Sequence, residues 1–393
     1  MIYPRKLLKT LKKQVETQEI VVLTGMRRVG KTTLYRVLFD QLESENKAFL
    51  DIENPVEQKV FEETDYNNIW ANLRAYNISP EEKAYIFLDE IQAMPQIVKA
   101  VKYLYDHYDI KFFLTGSSSF YLKNLFPESL AGRKFVFELY PLDFEEFLIF
   151  KDSGKDFHST FSEKDKNKNA VSYERVRGLY EEYLTYGGFP QIAVEKDLSQ
   201  KKLHLDDIFK SYFEKDVQNM ADFRDINAFR DLLLLLMRRT GSKIDVSKLA
   251  SEMRVSRPTV YSYLSFLEGT YFVKLVSPFS RSVDREISGA KKVYFCDTGL
   301  LDHFVKVGEG SLFENAVFNS LRKYGRINYY QKRSGAEIDF VIDQKIGVEV
   351  KIRGVGSDLG KLRKISSSLG LEEGYVVTKE FNDASGFIPA TDI

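Results

Sequence analysis

Three groups of residues in this chain have the types and spacing to do chemistry. The first is Gly25-Met26-Arg27-Arg28-Val29-Gly30-Lys31-Thr32, which fits G-x-x-x-x-G-K-[ST]. It stands between an apolar run, Ile20-Val21-Val22-Leu23, and a helical stretch from Thr32 to Leu42. Two glycines let the backbone curl so that its N–H groups point at phosphate oxygens, and the positive end of the helix adds to them. Lys31 then reaches the β- and γ-phosphates, and the Thr32 hydroxyl ligates magnesium. Gly25, Arg28, Gly30, Lys31, Thr32 and Thr33 form the predicted binding set, and its ligand is a nucleoside triphosphate.

The second group completes the first. Ile86-Phe87-Leu88-Asp89-Glu90 is an apolar strand ending in two acids. Asp89 is predicted to hold magnesium through water, and Glu90 to polarise the attacking water. A further apolar strand ends at Thr115-Gly116-Ser117-Ser118-Ser119, where Thr115 or Ser117 is the candidate γ-phosphate sensor, with a plain turn as the alternative. Arg27, Arg28 and Arg133 are candidates for stabilising transition-state charge, Arg133 across a subunit interface. A surface salt bridge is the competing role for them.

The third group lies near the other end. Glu337-Ile338-Asp339-Phe340-Val341-Ile342 and Gly347-Val348-Glu349-Val350-Lys351-Ile352 read as two strands around Asp343-Gln344-Lys345. Alternation puts Asp339, Glu349 and Lys351 on one side above an apolar layer. Asp339 and Glu349 suit a hard divalent cation, Mg2+ or Mn2+, with help from the Val350 carbonyl. Lys351 would orient water or stabilise charge on a scissile phosphate. The competing interpretation is an amphipathic hairpin with a solvated acidic face.

These residues need elements to hold them. Strands at 20–24, 48–52, 85–89, 111–115 and 134–139, with helical stretches between, predict a parallel sheet sandwiched by helices over residues 1–150. Residues 151–172 are polar and charged, and predict a mobile loop or insertion. Helical periodicity resumes over 173–240 as a lid or linker, broken at Tyr186-Gly187-Gly188-Phe189-Pro190. Residues 241–292 then read as a helix-turn-helix. Val246 to Glu252 is its first helix, and Ser256 caps a second from Arg257 to Leu267. Val260, Leu264 and Leu267 share one face, leaving Arg257, Thr259, Tyr261, Ser262 and Ser265 towards solvent. Tyr271 to Val276 follows as the first strand of a wing, and residues 293–393 form a second mixed α/β unit.

Composition bounds the partners. The 393 residues carry a formal net charge of zero, so affinity for nucleic acid must come from local patches. Between Arg238 and Lys292 there are 11 Lys and Arg against 5 Asp and Glu, the footprint that DNA requires. Packing against protein is the competing use of that module. The single cysteine, Cys296, excludes an internal disulfide and suits a reducing cytoplasm. The longest apolar run, Leu232 to Met237, is too short to span a membrane, and no signal-peptide pattern is present. His107, His158, His204 and His303 show no zinc spacing.

Taken together, VLTGMRRVGKTTL at 22–34, Phe87-Leu88-Asp89-Glu90-Ile91-Gln92, Leu114 to Ser119, Ala131-Gly132-Arg133, Tyr140-Pro141-Leu142 with Phe144 to Phe147, and Gly187-Gly188-Phe189-Pro190 resemble the prokaryotic AAA-type ATPases fused to a C-terminal domain of unknown function. The resemblance covers nearly the whole chain, fading across 151–172. It implies a winged helix and a restriction-nuclease-like module behind the ATPase, and ATP rather than GTP. The D-x9-E-x-K pattern resembles the core of the PD-(D/E)xK nucleases, although Ile338 stands where a proline often precedes the aspartate. That likeness implies a further metal-linked acid at Glu314. An ordinary first-turn glutamate is the alternative.

The expected fold class is therefore α/β: a phosphate-loop parallel sheet with a helical lid, then a winged helix and a small mixed α/β, nuclease-like domain. The leading expectation is an ATP-hydrolysing, DNA-associated protein whose ATP state controls nucleic-acid binding or metal-dependent cleavage. The alternative is a nucleotide-operated switch for a protein partner, with a non-catalytic nuclease-like scaffold. A homo-oligomer is left open, and so is a sequence-specific regulator.

Overall fold

Parallel strands cannot be joined by two-residue hairpins, and they form along near-continuous apolar runs. The runs Ile20–Thr24 (β1), Lys47–Asp51 (β2), Ala84–Asp89 (β3), Ile110–Gly116 (β4) and Lys134–Glu138 (β5) obey that rule in the computed structural model, which describes residues 3–116, 130–217, 225–332 and 335–393. All five are parallel, in the order β2-β3-β4-β1-β5. Residues β1, β3 and β4 are buried along their whole length, while edge strand β5 exposes Phe135 and Val136. Each predicted strand lies within one residue of its observed position.

Parallel pairing brings the carboxyl ends of β1, β3 and β4 to one edge. Leu23 is in register with Thr115, and Leu88 with Leu114. The helix Lys31–Asp40 is fixed over that edge by aromatic contacts. Tyr35 meets Phe87 and Phe113 edge-on at 5.6 and 5.8 Å, and Phe39 meets Phe87 at 5.4 Å. Phe87 and Phe113 themselves stack at 4.3 Å. Each such aromatic pair adds about 0.5–1.5 kcal/mol beyond its buried area. The helix start, and with it the phosphate loop, is thus held by the core.

The chain divides into two compact units, Met1–Tyr140 with Gly269–Tyr271, and Pro141–Glu268 with Phe272–Ile393. The first unit ends at Tyr140, and the helix Phe144–Phe150 is grouped with the second. Within that unit three helices, Ile226–Arg238, Val246–Met253 and Arg257–Gly269, precede an antiparallel hairpin of Val273–Val276 (β6) and Lys292–Phe295 (β7). A mixed sheet follows, built from Ile327–Gln331 (β8), Glu337–Ile342 (β9), Ile346–Lys351 (β10), Glu373–Thr378 (β11) and Phe387–Pro389 (β12), in the order β12-β11-β10-β9-β8. β8, β9 and β10 pair antiparallel, and the helix Gly356–Leu369 carries the chain across to β11, parallel to β10. Asp343 and Gln344 take positive φ in the turn between β9 and β10, a tight hairpin turn of the primed type.

Residues 151–172 correct an expectation: they are folded. Phe161–Asn167 is a helix opened by a capping box of Thr160 and Glu163, and the next helix starts at Ala170. Lys164 is buried and donates to the Asp392 carbonyl at 2.6 Å, and Lys168 donates to the Phe387 carbonyl at 2.7 Å. Asp165 accepts the Gly386 N–H at 2.9 Å. The polar side chains that suggested a solvated loop are spent on the backbone of the β12 region.

The glycine pair at 187–188 has a packing reason. Gly187 takes φ +78, and a Cβ there would lie 2.1 Å from the Asp297 carboxylate. That carboxylate caps the helix Thr298–Val305 and accepts the Gly188 N–H at 2.7 Å. Burial pushes its pKa up to about 6, against the backbone N–H groups of Gly188, Leu300 and Gly299 that favour the ion.

Candidate nucleotide site and carboxylate cluster

The phosphate loop leaves β1 at Gly25, whose φ is +150 and where a Cβ would lie 2.1 Å from the Leu139 carbonyl oxygen. Only glycine fits there. Gly30 closes the loop with φ +94 as the residue before the helix Lys31–Asp40. Lys31 is 5% exposed, and its Nζ lies inside the curl, 3.0 Å from both the Gly25 and Met26 carbonyls. Arg28 takes φ +64 and is exposed, as is Thr33, and Arg27 is half-buried.

Asp89 ends β3 beside this loop and is buried. It accepts hydrogen bonds from the hydroxyls of Thr115 and Thr32. Burial raises its pKa; those two hydroxyls and the Lys31 charge work the other way, and the Glu90 charge adds to the rise. Thr115 has a second task, accepting the Glu90 N–H at 3.0 Å. Glu90 itself sits in the left-handed region, φ 52 and ψ 45, and its carboxylate accepts from the Gln92 side-chain amide. The structure thus brings Lys31, Thr32, Asp89, Glu90 and Thr115 together at one edge. Strand β4, lying between β1 and β3, supplies the Thr115 link. Ser117, the other sensor candidate, lies outside the described residues.

A tight backbone cradle, a buried ammonium, and a threonine hydroxyl on a buried carboxylate are the donors and acceptors that a magnesium-bound triphosphate requires. The residues fit the group.

Arg133 does not join them. Its carbonyl accepts the Ile20 N–H at 2.8 Å, so it stands at the start of β1 and β5, about 16 Å along the strand from the loop. Its guanidinium pairs with Asp106 at 2.8 and 3.4 Å. Within its own chain Arg133 is therefore a surface ion pair, the competing role given to it above.

In the second unit, the Ser256 hydroxyl accepts the Thr259 N–H at 3.2 Å and caps the helix Arg257–Gly269. Val260, Leu264 and Leu267 are buried, whereas Arg257, Tyr261, Ser262 and Ser265 are exposed and Thr259 half-exposed. The local positive excess is narrower than the sequence count. Arg239 pairs with Glu252 at 2.8 Å and Lys274 with Glu268 at 3.8 Å.

Lys292 is withdrawn furthest from that excess. It is 5% exposed, and its Nζ lies 3.0 Å from Glu337 and 3.8 Å from Glu314. It comes from β7 and faces the predicted nuclease-like residues. Burial lowers its pKa, but the charges of Glu314, Asp339 and Glu337 outweigh that, so it is held charged. Each acid of the cluster is already engaged. Glu314 accepts the Tyr294 hydroxyl at 2.6 Å, Asp339 accepts the Val350 N–H at 2.8 Å, and Glu349 pairs with Lys351 at 2.7 Å. Burial and then the Asp339 charge push Glu314 and Glu349 up to about 7.

Among the described residues no three His, Cys, Asp or Glu side chains are placed to hold a metal ion together. The residues predicted to hold the second metal, Glu314, Asp339 and Glu349, share this cluster with an internal cation, Lys292. Sequence spacing found the acids but missed Lys292. Lys292 opens the strand after Lys291, so nothing local marks it as the buried one of the two.

Comparison with known proteins matches three segments of the chain. Residues 17–148 match the family described as AAA domain, 177–311 a domain of unknown function (DUF8612), and 309–389 another domain of unknown function (DUF4143). An uncharacterized protein of Methanocaldococcus jannaschii is 29% identical over 335 residues, covering 82% of this chain and 72% of that one. One of Haemophilus influenzae is 29% identical over 340 residues, covering 83% and 80%. Among solved structures, the Aeropyrum pernix ORC1 protein in complex with DNA has a TM-score of 0.34 at 14% identity, covering 80% of this chain and 93% of that one. A STAND-class signal-transduction ATPase from Pyrococcus horikoshii has a TM-score of 0.29 at 12% identity, covering 82% and 46%. The match to the AAA domain, residues 17–148, takes in the whole parallel sheet and the phosphate loop. No helix among the described residues is long and apolar enough to cross a membrane.

Proposed function

We propose that this chain hydrolyses ATP and uses the cycle to control its association with DNA. The carrying observation is the hydrogen-bonded chain Thr32–Asp89–Thr115–Glu90 around the buried Lys31. Lys31 and the loop N–H groups bind the β- and γ-phosphates. Thr32 and Asp89 would hold Mg2+, which draws charge from the phosphate oxygens. Glu90 takes the proton of the attacking water. Its unusual backbone and its contact with Gln92 aim the carboxylate, and Thr115 ties that backbone to the magnesium-side acid. Loss of the γ-phosphate is then reported through one hydroxyl to two acids.

The nucleic-acid half of the proposal rests on Arg257, Thr259, Tyr261, Ser262 and Ser265, the polar face of a capped helix followed by a hairpin, the pattern of a winged helix. Phosphate-release assays on wild type and Lys31→Ala, with and without duplex DNA, test it. Turnover that depends on Lys31 and responds to DNA supports the proposal. Turnover indifferent to Lys31→Ala overturns it.

A second reading, a switch for a protein partner, is favoured by one observation: Lys292 reaches from β7 into the carboxylate cluster and pairs with Glu337 and Glu314. Under it the C-terminal module is a scaffold, no cleavage step is assigned, and Asp339→Ala leaves partner binding unchanged.

A further inference from the structure

Arg5 is one of few charged residues buried in the first unit, at 8% exposure, and neither the phosphate loop motif nor the acidic strand accounts for it. Its two guanidinium nitrogens go to two different backbone carbonyls. Nη1 donates to Val29 at 2.7 Å, and Nη2 donates to Tyr140 at 2.8 Å. Val29 is the loop residue whose peptide carries the Gly30 N–H. In a trans peptide the C=O and N–H point to opposite sides. A guanidinium that holds the Val29 C=O therefore turns the Gly30 N–H away from itself.

Tyr140 is the residue at which the chain leaves the first unit. Its ring meets Tyr271 edge-on at 5.6 Å, and its hydroxyl donates to Glu138 at 2.6 Å. The Tyr271 hydroxyl donates to the same carboxylate at 3.3 Å. Tyr271 takes φ +63, a conformation that costs an aromatic residue energy and persists only where its surroundings impose it. In sequence it stands between the helix Arg257–Gly269 and strand β6.

We propose that Arg5 is a positioning residue of the nucleotide site, and that Arg5, Tyr140 and Tyr271 form a relay from the phosphate loop to the helix–strand junction at 269–273. This rests on the ATP-binding reading above. Arg5 fixes the Gly30 N–H on the phosphate side of the loop. A shift of the Val29 carbonyl when phosphate binds or leaves is passed through the same guanidinium to the Tyr140 carbonyl. The Tyr140–Tyr271 ring contact then delivers it to the strained residue. Lysine cannot replace arginine here, because one ammonium on a flexible stem does not hold two carbonyls in a fixed fork.

The test uses the full chain as wild type, Arg5→Lys, Tyr271→Asn and Lys31→Ala. It measures ATP turnover with Mg2+, and amide hydrogen exchange over 267–276 with and without the non-hydrolysable analogue AMP-PNP. Arg5→Lys is expected to raise KM for ATP about tenfold with kcat within about twofold, since it removes ground-state and transition-state binding alike. It also abolishes the exchange response. Tyr271→Asn, which tolerates the left-handed backbone but lacks the ring, keeps KM and loses the exchange response alone. That variant carries the test if Arg5→Lys fails to fold. Wild-type KM and exchange response in Arg5→Lys, or a wild-type response in Tyr271→Asn, overturn the relay. Wild type behaving like Lys31→Ala overturns the ATP-binding reading and the relay together, and is distinguished because only then is turnover indifferent to Lys31.

Discussion

Two buried lysines, Lys31 and Lys292, sit near acids in this molecule, and their partners differ. Lys31 spends its ammonium on two carbonyls, and Asp89 beside it is held by neutral hydroxyls. Lys292 lies directly against Glu314 and Glu337, within a cluster whose other acids are bonded internally. In the first region the neighbours are backbone carbonyls and hydroxyls; in the second they are side chains of opposite charge.

The contrast breaks most sharply under substitution of the two lysines. Lys31→Ala is expected to lower ATP turnover at least 100-fold, measured as phosphate release, while changing folding stability by less than about 1 kcal/mol. Lys292→Met does the reverse. It strands carboxylates in the cluster and costs about 3 kcal/mol in the urea transition of the second unit, leaving KM for ATP unchanged. Equal stability of Lys292→Met and wild type would mean that the cluster is not neutralised by that lysine.

A smaller effect sharpens the catalytic side. Glu90→Gln should reduce kcat about 100-fold with ATP affinity retained, by equilibrium binding. Loss of affinity instead would make Glu90 a binding residue.

The pH dependence belongs to the second region. Glu314 and Glu349 rise from the model-compound value of 4.5 to about 7 in the fold. A carboxyl with a raised pKa favours the folded state when protonated. That contribution is full below about 4.5 and is lost as pH rises through about 7. The thermal midpoint of the second unit is therefore expected to fall between pH 5 and 8, and to fall less in Glu349→Gln. The smallest effect expected is at the helix surface. Arg257→Ala should weaken duplex binding by about three- to tenfold and reduce its salt slope by about one.

What could be read in the sequence follows from the range of the interactions involved. The five parallel strands, the phosphate loop and the Asp343–Gln344 turn are set by local spacing and by uniform apolar runs, and they lie where periodicity puts them. Thr115 was one of two sensor candidates. Its selection needs strand order, since β4 must lie beside β3 before Thr115 can touch Asp89. The distance of Arg133 from its own phosphate loop is likewise a property of sheet direction. The folded segment at 151–172 hid behind its lysines, which bond to carbonyls some 220 residues later in sequence. The Thr160-x-x-Glu163 capping box was the local clue to it. Lys292 and Asp297 are long-range partners that no spacing announces.

The contrast between the two regions is tested most directly by counting Mn2+ ions bound per chain by electron paramagnetic resonance, with and without AMP-PNP, in wild type, Lys31→Ala and Asp339→Ala. The account predicts one ion, bound only with nucleotide, lost in Lys31→Ala and kept in Asp339→Ala. An ion bound without nucleotide and lost in Asp339→Ala would contradict it.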